Sequence, residues 1–269
     1  MSLPSPSRPE GASSVHVDLD GPVATISLDR PETRNALDRV TIGALVEALR
    51  ALSADAAVRV VVLTGRDGTF CSGDDLREAG TMTREEFRAH IELFQEVTRC
   101  LHSMPQPVIA SIAGHARGGG LEVALACDLR IAADDASFAC PEARWGLTIT
   151  NGASRLLTRT IGETRARELV LLGDVVDAVT AERYGLVTRA VPAAELDAAT
   201  RACAARLLEA SSRALCLNKR LIAGPAETLE AALRAEVEVV MRAFDGPHAQ
   251  EGMRAFRERR QPTFEVEQA

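Results

Sequence analysis

Aromatic side chains are scarce in this chain. They make up 3% of 269 residues, with one tryptophan, Trp145, and one tyrosine, Tyr184. The hydrophobic fraction still reaches 46%, so the core has to be built from Ala, Leu and Val, a composition of α/β proteins with helix-rich tendencies. A basic balance is lacking too. The formal net charge of −7 argues against a nucleic-acid partner, which an excess of Lys and Arg would hold. Local arginines can nevertheless hold an anionic ligand on an acidic protein. No C-x-x-C pair occurs among Cys71, Cys100, Cys127, Cys140, Cys203 and Cys216, and the five histidines complete no ligand spacing. Such scattered cysteines read as small core residues, and the expectation is a cytoplasmic, metal-free protein. No stretch approaches the length of a membrane span, and no membrane partner is expected. The opening MSLPSPSRPEGASS lacks the apolar run of a signal peptide, so residues 1–14 read as a disordered lead-in.

The length suits one large domain, or a domain with an appendage. Val15 to Leu19 and Val23 to Leu28 alternate apolar and polar around Asp20-Gly21, which predicts a hairpin. A polar loop through Arg34 and Ala36 then leads to a periodic helix from Asp38 to about Leu52. The β-branched run Val58 to Thr64 predicts a strand. Thr83-Arg84-Glu85-Glu86 is a capping box that opens a helix whose apolar positions are Phe87, Ile91, Phe94, Val97 and Leu101. His90 and His102 on that helix read as surface or loosely packed residues. From Ala193 the pattern predicts three amphipathic helices, Ala194–Ala210, Ser211–Ile222 and Thr228–Phe244. Helices in a block after alternating strands and helices suggest an appended helical region.

Between these parts lies the stretch that carries chemistry, Pro107 to Asn151. An apolar run, Val108 to Ala113, reads as a buried strand. Gly118, Gly119 and Gly120 follow, and then the helix formers Leu121 to Cys127. Glycines between strand and helix allow close backbone approach to a ligand and leave free N–H groups at a positive helix end. Glu122 lies just inside that helix, and Glu142 stands twenty residues later beside Trp145. Two carboxylates and an N–H-rich turn are the parts needed for acid/base work beside a developing oxyanion.

At these residues, HARGGGLEVALACDLRIA followed by FACPEARWGL, the chain resembles the enoyl-CoA hydratase/isomerase (crotonase) family. Phe70-Cys71-Ser72-Gly73-Asp74-Asp75-Leu76 is similar to the family's F-C-x-G-x-D-L loop. Later segments, around Arg165-Ala166, Gly185-Leu186-Val187 and Glu251 to Pro262, extend the likeness from roughly Val15 to Pro262. The resemblance implies an α/β spiral of ββα repeats at residues 15–192 with a C-terminal helical trimerisation region at 193–269. It implies Glu122 and Glu142 as catalytic residues and the backbone N–H groups of Ser72 and Gly119 as an oxyanion hole. Substrate and coenzyme A contacts would come from Arg34, Ala36, Asp74, Leu76, Gly118, Thr150, Phe256 and Arg259, the last two reaching a neighbouring subunit. The implied partner is an acyl-CoA thioester and the implied assembly a homotrimer or a dimer of trimers. No cofactor is implied, coenzyme A being part of the substrate.

Three residues depart from the family pattern. Asp74 stands where alanine is common, and Arg117 stands where an apolar residue is common and could make the pocket more polar. Thr150 falls where the family has a glycine associated with positioning water. The favoured reading is hydration of a trans-2-enoyl-CoA. Isomerisation or another enolate reaction on a CoA thioester is the alternative, and a non-catalytic acyl-CoA binder a more distant one. A dinucleotide-binding oxidoreductase is disfavoured, because GHARGGG is not G-x-G-x-x-G after an early first strand.

Overall fold

The computed structural model describes residues 13–224 and 228–264. The lead-in expected at 1–14 thus lies outside the described residues up to residue 12. Ser14 is already buried, and its carbonyl accepts the Asp29 N–H at 2.8 Å, which lengthens the first hairpin. That hairpin pairs β1 (Val15–Asp20) with β2 (Val23–Leu28) and turns at Gly21, whose φ of 55° suits glycine. Helix α1 (Arg39–Ala54) is capped by Asp38, whose side chain accepts the Thr41 N–H. Strand β3 (Val60–Gly65), the short helix α2 (Leu76–Ala79) and helix α3 (Arg84–Ser103) follow. Both halves of the Thr83–Glu86 capping box are formed at the start of α3.

The central stretch folds as β4 (Val108–Ile112), β5 (His115–Arg117), α4 (Gly119–Ala126), β6 (Leu129–Ala133) and β7 (Ser137–Ala139). Next come α5 (Ala153–Ile161), α6 (Glu163–Leu172), β8 (Val176–Asp177), α7 (Ala178–Tyr184) and β9 (Arg189–Val191). The chain ends in α8 (Leu196–Leu208), α9 (Ser212–Ala223), α10 (Leu229–Phe244) and α11 (Pro247–Glu258). The sequence pattern predicts three helices in this last region, whereas four are formed among the described residues. Pro247 starts the fourth at a position where its missing N–H has no intrahelical partner to lose.

Among the described residues one sheet runs β1-β2-β3-β4-β6-β9 and a second runs β5-β7-β8. From β2 to β9 the neighbours in the larger sheet are parallel. A parallel sheet needs cover on both faces, and alternate residues of a strand serve opposite faces. Val61, Leu63, Ala110 and Ile112 accordingly enter a core shared with Ile42, Leu45 and Leu49 of α1 and with Phe94, Val97 and Leu101 of α3. Val60, Val62, Ile109 and Ile131 face the other way, onto Leu196 and Ala204 of α8. Helix α8 is therefore part of the α/β core, although its amphipathic pattern groups it with the helices after residue 193. Among the described residues no helix is long and apolar enough to cross a membrane.

Candidate active site

Two loops meet in front of α4. Residues 70 and 71 lie along β5: the Phe70 N–H donates to the Ala113 carbonyl, Cys71 to His115, and Arg117 back to Cys71. The other edge of the same loop is tied to the segment before α1, the Leu37 N–H donating to the Gly73 carbonyl at 2.8 Å and Asp75 to Leu37 at 3.0 Å. A loop bonded on both edges has few conformations left, so it offers a rigid frame for a ligand. Two N–H groups, those of Asp74 and Gly119, donate to no described residue. They are neighbours. A Cβ built on Gly73 would stand 3.2 Å from the Gly119 nitrogen, and one on Gly119 would stand 3.4 Å from the Asp74 nitrogen. A Cβ on Gly120 would come within 2.3 Å of the Cys71 carbonyl oxygen, so the glycine run is what lets α4 approach this loop.

A cavity of about 320 Å³ opens beside these N–H groups. Leu76, Phe87, Ile91, Phe94, Leu147 and Ile149 supply apolar wall, and Trp145, 68% exposed, stands among them toward solvent. Three acids, Asp74, Glu122 and Glu142, line it as well. Glu122 is in the first turn of α4, a helix buried along its whole length, and is 1% exposed. The Thr150 N–H donates to its Oε1 at 2.6 Å and Asn151 Nδ2 to its Oε2 at 3.1 Å. Burial pushes its pKa up to about 7; repulsion from Glu142 and Asp74 acts in the same direction, and the two donors act against it.

Glu142 begins a 3-10 turn, Glu142–Trp145, and Gly118 lies close enough that a Cβ there would be 3.4 Å from Glu142 Oε1. Both Glu142 oxygens are buried without a hydrogen-bond partner, and burial raises its pKa. The two glutamates therefore differ in kind. One is held by donors at both oxygens, and the other is bare and aimed at the same space. An unpaired buried carboxyl is costly in a fold and points to a bound group as its partner. Among the described residues, no three His, Cys, Asp or Glu side chains converge so as to hold a metal ion.

The family model for enoyl-CoA hydratase/isomerase matches residues 19–267. A probable enoyl-CoA hydratase of Mycobacterium leprae is 36% identical over 244 residues, covering 90% of this chain and 94% of that protein. The crotonyl-CoA hydratase of Syntrophomonas wolfei is 33% identical over 253 residues, 93% and 97% of the two chains. The crystal structure of an enoyl-CoA hydratase from Bacillus anthracis superposes with a TM-score of 0.91 at 33% identity, over 95% of this chain and 100% of that one. This chain belongs to the enoyl-CoA hydratase/isomerase family. Its fold is the crotonase-like α/β fold with a helical C-terminal region.

Of the residues singled out through the family motifs, Ser72, Asp74, Leu76, Gly118, Gly119, Glu122, Glu142 and Thr150 all line the one cavity. Ala36 is buried behind it, its carbonyl accepting from Arg30 Nη1 at 2.7 Å. Arg34 is exposed, with a left-handed φ of 56°. Neither lines the cavity, and neither do Phe256 and Arg259 at the far end of α11; Phe256 is 86% exposed.

The Ser72 N–H is not open to the cavity, contrary to the expectation for an oxyanion-hole donor. It donates to the Arg34 carbonyl at 3.0 Å while the Ser72 hydroxyl donates to the Thr33 carbonyl at 2.9 Å. Gly73, with a φ of 102°, turns the chain, and the open N–H is that of the next residue, Asp74. Arg117 does not reach the cavity either. It shares a face of β5 with His115, and both bond Ser137 on β7, Arg117 Nη2 at 3.2 Å and His115 Nδ1 at 2.8 Å. His90, expected at the surface, is 1% exposed and its Nε2 lies 2.7 Å from Asp74 Oδ1. A signal for it was present, since His90 falls on the stripe Phe87, His90, Phe94, Val97 and Leu101 at spacings of three and four. Asn151 carried no comparable signal: it reads as turn chemistry, and its contact with Glu122 is a product of tertiary packing.

Proposed function

We propose that this chain adds water across the 2,3 double bond of a trans-2-enoyl-CoA thioester to give a 3-hydroxyacyl-CoA. The observation that carries the reading is the pair of unequal buried carboxylates beside two open N–H groups. In it, the thioester oxygen accepts hydrogen bonds from the Asp74 and Gly119 N–H groups, which stabilise the enolate-like charge that develops there. Glu122, oriented by Thr150 and Asn151, takes a proton from water as the water oxygen bonds to C3. Glu142, to which no other residue donates and which burial holds toward its protonated form, gives its proton to C2 as the double bond opens. The two protons balance: one carboxylate gains what the water loses, and the other loses what C2 gains. Glu142 helps to raise the pKa of Glu122, and a single proton transfer between the two acids resets the site. Coenzyme A enters as part of the substrate, and no further cofactor is required by these steps.

Assembly as a homotrimer or dimer of trimers is part of the proposal. Leu229, Leu233, Val237, Val240 and Phe244 are spaced along one face of α10 and are all exposed, as is Phe256 on α11. An apolar face of this extent suits burial against another copy.

The test is turnover of crotonyl-CoA, followed as loss of the conjugated enoyl-thioester absorbance. Glu122→Gln and Glu142→Gln are each expected to lower kcat by about 10²–10⁴-fold, the range for general acid–base groups. Full rate in either variant would refute the mechanism. A wild type that binds the ester without turning it over would refute the activity and favour a binder.

One observation favours isomerisation as a second reading. The Thr150 N–H is engaged by Glu122 and so is not available to a water. A 3-enoyl-CoA would then gain the conjugated absorbance while crotonyl-CoA kept it.

A further inference from the structure

Asp74 and His90 form a polar unit that the hydration steps do not use. His90 sits on α3 between Phe87 and Phe94, in a helix face otherwise given to the core, and its Nε2 lies 2.7 Å from Asp74 Oδ1. Its Nδ1 is buried without a partner. Asp74 donors end there. No described residue donates to Oδ2, which is not among the enclosed, unpartnered oxygens, and Asp74 is one of the residues that line the cavity. Around it stand Leu76, Phe87, Ile91 and Phe94. A buried ion pair of this kind is a poor source of stability, since well-packed apolar residues of similar volume commonly do as well or better. Its place in an apolar wall is better explained by a ligand.

We propose that Asp74 Oδ2 selects the acyl group, accepting a hydrogen bond from a hydroxyl carried close to the thioester, so that hydroxylated enoyl-CoA esters are preferred over plain hydrocarbon ones. This rests on the acyl-CoA reading above. The Asp74 N–H faces the thioester oxygen in that reading, and the carboxylate of the same residue is only a few bonds away. The hydroxyl meant is one on C4, next to the reacting double bond. The charge balance favours a neutral donor. The hydrogen bond that His90 Nε2 donates to Asp74 raises the imidazole pKa, with burial and Arg39 opposing and Glu78 adding to the effect. An acyl carboxylate would meet Asp74, Glu122 and Glu142 and be repelled.

Binding of butyryl-CoA and 4-hydroxybutyryl-CoA tests this without turnover, because neither ester has a double bond. Isothermal titration of the full-length protein is expected to show the hydroxylated ester bound at least tenfold more tightly, the size of one hydrogen bond to a charged acceptor. Asp74→Ala should bring the two affinities together. Should that variant fail to fold, Asp74→Asn keeps the shape and should cut the ratio severalfold. His90→Gln, which retains an N–H toward Asp74, should keep most of the preference. Equal binding by the wild type, or a preference that survives Asp74→Ala, would overturn the proposal and leave the hydratase reading intact. Binding of neither ester would overturn both.

Discussion

The Glu122→Gln substitution keeps the shape of the side chain and removes its charge, so it separates what this carboxylate does in catalysis from what it costs the fold. In the folded chain its pKa rises from the ordinary 4.5 to about 7, chiefly through burial. A raised folded value means that the folded state prefers the protonated acid. The contribution is fully present below 4.5 and is lost as pH rises through about 7. At about 1.4 kcal/mol for each tenfold, the gap corresponds to about 3 kcal/mol. Gln carries no such slope. Its amide can also be accommodated: one atom continues to accept the Thr150 N–H, and the other meets Asn151, whose Oδ1 is buried without a partner. Turning the Asn151 amide over presents that oxygen to the new N–H. Urea unfolding at pH 5 and pH 8 is the assay. The variant is expected to be more stable than wild type at pH 8 by about 3 kcal/mol, with an advantage under about 1 kcal/mol at pH 5. A difference that does not change between the two pH values, or a variant less stable at pH 8, would refute the burial argument. Stability gained with activity lost is the trade expected of a residue kept for function.

Two further outcomes follow from the packing. Gly119→Ala would bring its Cβ within 2.6 Å of Phe94 Cε1 and 2.7 Å of Cζ, against a ring that is 1% exposed. The N–H must move, and crotonyl-CoA turnover is expected to fall by about 10²-fold or more, as for loss of an oxyanion donor; adding Phe94→Leu should recover part of it, and an unimpaired single variant would show that Gly119 is not a donor. Val237→Glu places a charge in the middle of the exposed apolar face of α10. Light scattering is expected to show its native mass falling from an assembly to the single chain, and an unchanged mass would remove that face from the interface.

Much of this protein was decided locally. The Asp20-Gly21 turn, the β-branched strand β3, the Thr83–Glu86 cap and the Gly-rich entry to α4 each follow from steric and capping rules that act within a few residues. The motifs around Glu122 and Glu142 named the family because their order and spacing are properties of the chain itself. Tertiary structure decided the rest. Which N–H of the 70–75 loop stays open depends on its pairing with residues 34–37 and with β5, which no local pattern contains, and so the open N–H is that of Asp74 and not that of Ser72. Arg117 left the cavity because the pleat of β5 turns it toward Ser137 on a strand twenty residues away. The partners of Glu122, from Thr150 and Asn151, and of Asp74, from His90, are brought by separate elements. Glu122's raised pKa follows from that enclosure, because burial is a property of everything around a group and not of the residues beside it in the chain.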